Sequence, residues 1–378
     1  MSEPGDLSSA APAAPPELFA AYSRALAELP RYLPGTGYDG AGLPDLRARI
    51  AARYTARGLP TAPEQVLVTA GAAQALRLVL DCLITPGDHV LVEHPTWPPA
   101  LDAVRGAGGR PLALPVEDGW AEAAPRLLAH ALPRLAYLMP DGQNPTGKIL
   151  EGAQRTALAT ALADARCIAV VDETLLDLDL RPAQAGASGP PGGTQAFGAH
   201  LPPGAVVHIG SASKSFWGGL RVGWVRADPA LIGRLVVART ASDLGSPVLE
   251  QLATGHLLDA AASVLTRRRA ELVQRWRQAR ALLAEHLPAW SAPAPDAGLV
   301  VWCTLDRPRS TLVAEAARRR GVLVPPGPKF GVDGGLESRL RICFGRAGSD
   351  LAWAIPRLAE AWREVSDPVP PDDGALPA

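Results

Sequence analysis

The chain has 378 residues, of which 47% are hydrophobic and 20% charged, and its net charge is −1. This balance is typical of a globular protein of two domains, and it excludes a wholly disordered or collagen-like chain. The near-zero charge also argues against binding to a phosphate backbone, which requires a strong positive field, so we expect no nucleic-acid partner.

No apolar run reaches the roughly 18 residues needed to span a bilayer, so we expect no association with a membrane. The N-terminal residues are rich in Pro and Ala and lack the basic and apolar regions of a signal peptide. The four cysteines lie far apart and form no CxxC pair, which indicates reduced, buried thiols and no metal site. These features predict a soluble cytoplasmic protein.

The first half of the chain predicts helices and short strands in alternation. Residues 1–16 are predicted to be a disordered arm, and helices are predicted over 16–29 and 43–57. From residue 65 onward, apolar runs alternate with amphipathic stretches, the pattern of a mostly parallel sheet covered by helices on both faces. A helix is predicted over 72–83. The predicted strands of this sheet are 65–70, 89–94, 110–116, 134–140, 167–173, 205–211 and 221–227.

The second half changes pattern after a Pro/Gly-rich stretch over 181–205, which predicts a surface loop. A long helical region is predicted over about 248–287, and residues 366–378 are predicted to be a disordered tail. Between them the pattern predicts a small α+β domain, with strands over 298–305, 322–326 and 339–345 and helices over 310–320 and 350–365.

These elements predict two domains. The large domain covers residues 43–274, and the small C-terminal domain covers residues 275–365. Residues 17–42 are predicted to add an N-terminal segment to the small domain.

One short loop combines an amine with groups that bind anions. Lys214 follows the predicted strand 205–211, where an open α/β sheet places its ligand crevice. Ser211 and Ser213 precede Arg221 in the same loop, and two hydroxyls with a guanidinium suit a phosphate dianion. A lysine in a polar pocket can act as a nucleophile. The alternative interpretation is a surface lysine in an ordinary turn.

Five other positions lie at the ends of predicted strands or just after them. Gly71 and Ala72 begin a helix whose first N–H groups can face a phosphate, although an ordinary strand-to-helix turn has the same sequence. Asp172 ends a strand and is either a helix cap or a partner for a pyridine nitrogen. Asn144 lies in QNPTG, which also suits a plain turn. Trp97 lies in HPTWPP and would stack on a flat ring or pack at a rim.

Together these segments resemble a known family. The chain is similar to the class I/II aminotransferases over about residues 30–345, in six segments that occur in order: AGAAQAL, VEHPTW, PDGQNPTG, VVDET, SASKSFWGGLRVGW and LRICFG. Within this family it resembles most the aminotransferase-like half of MocR-type regulators. Too few residues precede the match for the DNA-binding domain of those regulators, so we expect a stand-alone protein.

The resemblance implies an α/β fold of the pyridoxal-phosphate-dependent fold type I, with a mostly parallel seven-stranded sheet in the large domain and a small α+β domain. It also implies pyridoxal 5′-phosphate as the cofactor. Lys214 would form a Schiff base with this cofactor and then move the α-proton of the substrate. Asp172 would pair with the pyridinium nitrogen, Asn144 would bind the ring hydroxyl oxygen, and Trp97 would stack on the ring.

The same resemblance implies how the remaining groups are bound. The cofactor phosphate would be held by Ser211, Ser213, Arg221 and the backbone of Gly71 and Ala72. Tyr38 would reach a phosphate in the neighbouring subunit, which implies a homodimer with shared active sites. Arg341 would bind the α-carboxylate of an amino acid substrate in a two-pronged ion pair, which a lysine makes poorly.

One position departs from the family pattern. The third residue after the aspartate is usually Tyr, which donates to the ring hydroxyl oxygen, but here it is Leu175. Loss of that donor should raise the pKa of the Schiff base and leave Asn144 alone on the oxygen. His94 either compensates for this loss or serves as a capping or packing residue.

Three functions follow as hypotheses. The first is an aminotransferase that exchanges an amino group between an α-amino acid and a 2-oxo acid. The second is a pyridoxal-phosphate enzyme of secondary metabolism that carries out β- or γ-elimination, replacement or carbon–carbon bond formation, which Leu175 and Trp97 favour. The third is a pyridoxal-phosphate sensor without turnover, against which the retained Lys214, Asp172 and Arg341 argue.

Overall fold

The computed structural model describes residues 5–117, 119–182 and 195–366. Within these residues the strands are β1 (Val66–Thr69), β2 (His89–His94), β3 (Arg110–Pro115), β4 (Leu135–Leu138), β5 (Ile168–Asp172), β6 (Val206–Ser211), β7 (Gly223–Arg226), β8 (Val300–Thr304) and β9 (Arg339–Cys343). The α-helices of the first half are α1 (Glu17–Glu28), α2 (Pro44–Ala56), α3 (Ala72–Leu83), α4 (Pro98–Gly106), α5 (Trp120–Ala131) and α6 (Gly152–Asp164). Those of the second half are α7 (Ala212–Ser215), α8 (Pro229–Arg239), α9 (Val248–Asp259), α10 (Ala261–His286), α11 (Ser310–Arg319) and α12 (Leu351–Ser366).

The large domain is built on a seven-stranded sheet in the order β1-β7-β6-β5-β4-β2-β3. Strand β7 runs antiparallel to both of its neighbours, and the other neighbouring pairs are parallel. Every residue of β1, β4, β6 and β7 is buried, as expected for apolar strands covered on both faces. The predicted α/β fold with a mostly parallel seven-stranded sheet is confirmed.

The small domain consists of the antiparallel pair β8–β9 packed with α11, α12 and the later part of α10. The strand predicted over 322–326 is reduced to two single bridges, one from Leu323 to Asp6 and one from Pro326 to Leu340. Pro325 and Pro326 have no backbone N–H to donate, so a continuous ladder cannot form there. The prediction of this strand was wrong.

Residues 5–16 differ from the predicted disordered arm. Leu7 is 0% exposed and belongs to the core of the small domain. Its N–H donates to the carbonyl of Leu323, and its carbonyl accepts from the N–H of Cys343, both at 2.9 Å. The arm therefore extends the small domain with backbone hydrogen bonds. Of the predicted tail, Ser366 ends α12, and residues 367–378 lie outside the described part of the chain.

The segment predicted to join the small domain instead packs on the large one. Ala21 and Ala25 of α1 are buried against Leu252 and Ala253 of α9, within the core that β1 and β7 share. The long helical region predicted over 248–287 is two helices that meet at Ala260. Of the predicted loop over 181–205, residues 183–194 lie outside the described part, and Phe197–His200 form a short 3-10 helix whose first two residues are buried.

Helix α10 links the two cores. Val264 and Leu265 near its start are buried in the large domain, whereas Leu272 and Trp276 further along are buried in the small domain. Among the described residues, no helix combines the length and the apolar character that a bilayer crossing requires.

Candidate active site

The sheet gathers the predicted site residues at one edge. Trp97 follows β2, Asn144 follows β4, Asp172 ends β5 and Lys214 follows β6. These four strands are mutually parallel, so their carboxyl ends lie at the same edge. The topology therefore brings four residues from distant parts of the sequence to one edge of the sheet.

Lys214 lies in the one-turn helix α7. Ser211 caps the N-terminus of this helix. Its Oγ accepts a hydrogen bond from the N–H of Ser213 at 3.1 Å and donates one to the Oγ of Ser213 at 3.0 Å. The Nζ of Lys214 donates to the carbonyl of Ala10 in the N-terminal arm. Burial lowers the pKa of Lys214, which increases the fraction of neutral amine available as a base.

Two glycines allow the segments that are predicted to bind the cofactor phosphate to approach each other closely. Gly71 has φ +105°, and a Cβ at this position would lie 3.1 Å from Nη2 of Arg221. That same nitrogen donates to the carbonyl of Ala70 at 2.8 Å. Gly223 lies opposite Ser211 in the sheet, and a Cβ on Gly223 would lie 2.6 Å from the carbonyl carbon of Gly71. The close approach of these turns requires glycine.

The start of α3 is braced by side chains that the sequence analysis missed. Oε1 of Gln74 accepts from the N–H of Ala70 at 2.6 Å, and its Nε2 donates to Asp243. Asp243 in turn binds Arg239, whose fully buried guanidinium also donates to the carbonyl of Val68. These contacts fix the turn at residues 70–72.

Asp172 is 8% exposed and is held by two donors. The hydroxyl of Tyr137 donates to its Oδ2 at 2.7 Å, and the N–H of Thr174 donates to its Oδ1 at 2.8 Å. Burial raises the pKa of Asp172, and the hydrogen bonds from Thr174 and Tyr137 act in the opposite direction. The carboxylate is therefore oriented before any ligand binds.

Arg341 is a buried cation for which the described part of the chain supplies no acidic partner. It is 7% exposed, and its guanidinium lies 4.9 Å from the ring centroid of Phe330. Nη1 donates to Oδ1 of Asn144 at 3.1 Å, and Nη2 donates to the carbonyl of Ser8. Burial lowers the pKa of Arg341, and among the described residues no carboxylate lies within ion-pair distance. The site therefore suits an incoming anion.

A buried carboxyl, also missed by the sequence analysis, joins two loops of the site. Glu93 accepts from the N–H of Met139 at 2.8 Å and from Nε2 of Gln143 at 3.0 Å. The same Nε2 donates to the carbonyl of Pro95 at 2.7 Å. Burial raises the pKa of Glu93 to about 8. The contacts tie the turn before Trp97 to the loop that carries Asn144.

Below this edge lies a buried charged cluster centred on Glu173. Its carboxylate accepts from Nη1 of Arg57 at 2.9 Å and from the hydroxyl of Tyr54 at 2.7 Å, and Nδ1 of His208 lies 3.2 Å away. Burial alone would raise the pKa of Glu173, but the charge of Arg57 and the hydrogen bond from Tyr54 hold that pKa well below its usual range. Strand β5 and the residue after it therefore carry two adjacent acids with different environments.

The structure also shows the surroundings of three other residues singled out in the sequence. Leu175 packs against the core of the small domain and supplies no donor to the site. Nδ1 of His94 accepts from the N–H of Val332 at 3.2 Å, so this nitrogen is occupied by a backbone contact. Tyr38 is 70% exposed.

The fold and this site define a class of enzyme. A partly buried lysine after a parallel strand, an oriented aspartate on the neighbouring strand and a glycine-lined anion cradle are the groups that a pyridoxal-phosphate enzyme of fold type I requires.

Comparisons with known proteins name the family. A family model described as aminotransferase class I and II matches residues 35–358. The 2-aminoadipate transaminase of Thermus thermophilus is 31% identical over 349 residues, which is 88% of this chain and 81% of that protein. The uncharacterized HTH-type transcriptional regulator YdcR of Escherichia coli is 30% identical over 76% of this chain and 61% of its own length.

A solved structure shows the same fold. The α-aminoadipate aminotransferase LysN of Thermus thermophilus, complexed with N-(5′-phosphopyridoxyl)-L-leucine, has a TM-score of 0.84 and 28% identity, and the match covers 96% of this chain and 93% of that chain. The present chain belongs to the class I and II aminotransferase family and uses pyridoxal phosphate.

The residues present fit this cofactor. The guanidinium of Arg221 beside Gly71, together with the hydroxyls of Ser211 and Ser213, forms a donor set suited to a phosphate. The Nε of Arg341 is buried and has no hydrogen-bond partner in the described part of the chain, so a further acceptor can be accommodated there.

Proposed function

We propose that the enzyme exchanges the amino group of an α-amino acid with a 2-oxo acid, with Lys214 moving the proton and Arg341 binding the substrate carboxylate. The observation that carries this proposal is the buried guanidinium of Arg341, which forms no ion pair with any carboxylate in residues 5–117, 119–182 and 195–366. A buried cation without a counter-ion is costly, and a substrate carboxylate supplies the missing charge. Asn144, bonded to the same guanidinium, places this anion beside the cofactor site.

The chemistry divides between the cofactor and the chain. When bound, pyridoxal phosphate supplies an electron sink for the pair released from the substrate α-carbon. Lys214 accepts the α-proton at Nζ and returns it, and its lowered pKa increases the fraction of neutral amine that can act as the base. Asp172 holds the proton of the ring nitrogen. The carboxylate of the substrate replaces the carbonyl of Ser8 on Arg341.

The test is product analysis with a panel of amino acids and one 2-oxo acid acceptor. The proposal expects the 2-oxo acid of each accepted donor to appear in equal amount with the new amino acid. Release of free ammonia in place of the new amino acid would contradict transamination and would indicate an elimination reaction.

Replacing Arg341 with lysine should raise KM for the amino acid by about 10- to 100-fold, because lysine cannot make the two-pronged ion pair. The change in kcat should be smaller, since the carboxylate is bound in both the ground and the transition state. Steady-state kinetics with the preferred donor measure both constants.

Arg339→Lys is the matched control for this variant. Arg339 lies two residues earlier on the same strand and pairs with Glu117, away from Asn144. Its substitution should leave KM within about twofold of the parent, because its guanidinium hydrogen-bonds Thr304 and Glu117 instead of Asn144. An equal rise in KM for both variants would show that the rise comes from disturbance of the strand and not from loss of the guanidinium of Arg341.

We further propose a homodimer in which Tyr38 completes the phosphate site of the partner subunit. Several exposed apolar side chains support an interface: Phe19, Leu26, Leu33, Tyr38, Val237 and Leu244. The turn after Tyr38 lies against the end of α8 and the segment that follows it, where Asp39 lies near Gly245 and Gly40 near Val236. Apolar surface around an exposed tyrosine is typical of an interface.

Mixing two defective variants should restore activity. Tyr38→Phe should weaken binding of pyridoxal phosphate by about 10- to 100-fold, the value of a hydrogen bond to a charged group. In a hybrid dimer with Lys214→Ala, one site has an intact Lys214 and receives the intact Tyr38 of the other subunit. Activity at limiting cofactor should therefore recover after the subunits exchange. No recovery despite exchange, or an active monomer, would contradict the shared site.

A further inference from the structure

Tyr137 lies inside the sheet beneath the proposed ring-nitrogen partner. It is fully buried on β4, in register with Val170 of β5. Asp172 lies two residues further along β5 and therefore on the same face as Val170. The hydroxyl of Tyr137 reaches its Oδ2 at 2.7 Å, and within the described residues this is the one hydrogen bond of that hydroxyl.

The direction of this hydrogen bond is fixed. Burial and the nearby Asp172 raise the pKa of Tyr137 well above its usual value, so the phenol keeps its proton and donates it to the ionised carboxylate of Asp172. A phenylalanine would fill almost the same space in this apolar layer, so the hydroxyl group is the only polar addition. A buried hydroxyl needs a partner, and here that partner is a carboxylate of the site.

We propose that Tyr137 is a positioning residue, whose hydroxyl keeps the Asp172 carboxylate ionised and aimed at the ring nitrogen of the cofactor. This inference rests on the role proposed above for Asp172. The N–H of Thr174 holds the other carboxylate oxygen, so the two donors together fix the plane of the carboxyl group. Without Tyr137, burial would favour the protonated form of Asp172, which cannot stabilise a protonated ring nitrogen.

Other charged groups near Asp172 do not account for the effect of the Tyr137 hydroxyl on the ionisation of Asp172. Glu173, next in sequence, carries a negative charge and opposes ionisation of Asp172. Glu93 on β2 also faces Asp172, but burial raises its pKa to about 8, so it is uncharged in acid. Burial lowers the pKa of Lys214, and the charge of Asp172 acts in the opposite direction. These groups are the same with and without the hydroxyl of Tyr137, so a difference between the two proteins reports Asp172.

The experiment measures the affinity of the full-length apoprotein for pyridoxal phosphate as a function of pH. Cofactor affinity should fall in acid as Asp172 takes up a proton. Tyr137→Phe should move the midpoint of that fall up by about 1 to 2 pH units, because a hydrogen bond to an ionised group has been lost. A thermal denaturation of each apoprotein shows whether the variant is folded.

Tyr54→Phe is the matched control. Tyr54 is also buried and also donates to a buried carboxylate at 2.7 Å, but that carboxylate is Glu173. It additionally accepts a hydrogen bond from Nε1 of Trp224 at 3.1 Å, so its loss disturbs the structure at least as much. Tyr54→Phe should leave the acid midpoint of cofactor binding unchanged. An equal shift in both variants would overturn the inference.

A double mutant separates this inference from the proposal on which it rests. In an Asp172→Asn background, Tyr137→Phe should have no further effect on cofactor affinity, because the two residues act through one carboxylate. Additive effects would overturn the role of Tyr137. If Asp172→Asn alone binds the cofactor as tightly as the parent, the assignment of Asp172 itself fails, and the inference about Tyr137 fails with it.

Discussion

Lys214→Ala should lower the rate of amino transfer by about 10³- to 10⁴-fold, because the base that moves the α-proton is lost. The same variant should lose the lysine-dependent visible absorption of the bound cofactor. Stopped-flow or steady-state assays measure the rate, and an absorption spectrum of the reconstituted protein measures the second effect.

Because the chain contains few lysines, the residue that binds the cofactor covalently can be identified directly. The chain contains three lysines, at positions 148, 214 and 329. Borohydride trapping of the bound cofactor should therefore attach its mass to the peptide of Lys214 and to neither of the other two. Lys329→Ala, at an exposed position, should keep the activity of the parent. Trapping at Lys148 or Lys329, or an active Lys214→Ala, would contradict the assignment.

Glu173→Ala should lower the free energy of unfolding by about 3–5 kcal/mol, the usual cost of leaving a buried charge without its partner. The substitution leaves Arg57 buried without its closest counter-ion and removes the acceptor of Tyr54. Urea denaturation of the cofactor-free protein measures the effect. Glu271→Ala removes an exposed acid whose ion pairs with Arg267 and Arg268, on the same helix, measure 3.8 and 3.7 Å, and it should cost less than about 0.5 kcal/mol.

The effect of Glu173 depends on pH in a defined direction. Its pKa in the folded protein lies well below its value in the unfolded chain, which is about 4.3. The stability that this ionised group contributes is therefore present above about pH 4.3 and is lost as the pH falls through the folded pKa. The difference between parent and Glu173→Ala should shrink below about pH 4. A constant difference down to about pH 3 would show that Glu173 stabilises the protein by packing alone.

The sequence predicts the sheet well because its strands are short apolar runs between helices with clear ends. The strand predicted over 89–94 and the helix predicted over 72–83 coincide with β2 and α3. Once the strands are known to be parallel, the residues that follow them must lie at one edge, so Asn144, Asp172 and Lys214 could be placed together in advance. Their individual roles remain predictions.

What the sequence could not predict depends on partners that are distant along the chain. Tyr137 lies in an apolar run and looks like a core residue, and its contact with Asp172 follows only from the order of the strands. Leu7 is a single apolar residue in a Pro- and Ala-rich arm, so no periodic pattern predicts that it enters a core. The small alanines on α1 pack against α9, but no sequence pattern indicates which of the two domains α1 packs against.

The shared helix α10 has a consequence for how the molecule unfolds. Its 26 residues span about 39 Å, and apolar side chains along it complete both hydrophobic cores. Neither core keeps its full set of buried side chains if the helix unravels. An isolated helix of this polar composition gains most of its stability from packing, so loss of one core also weakens the other. We therefore expect the two domains to unfold together, because each depends on α10 for part of its core.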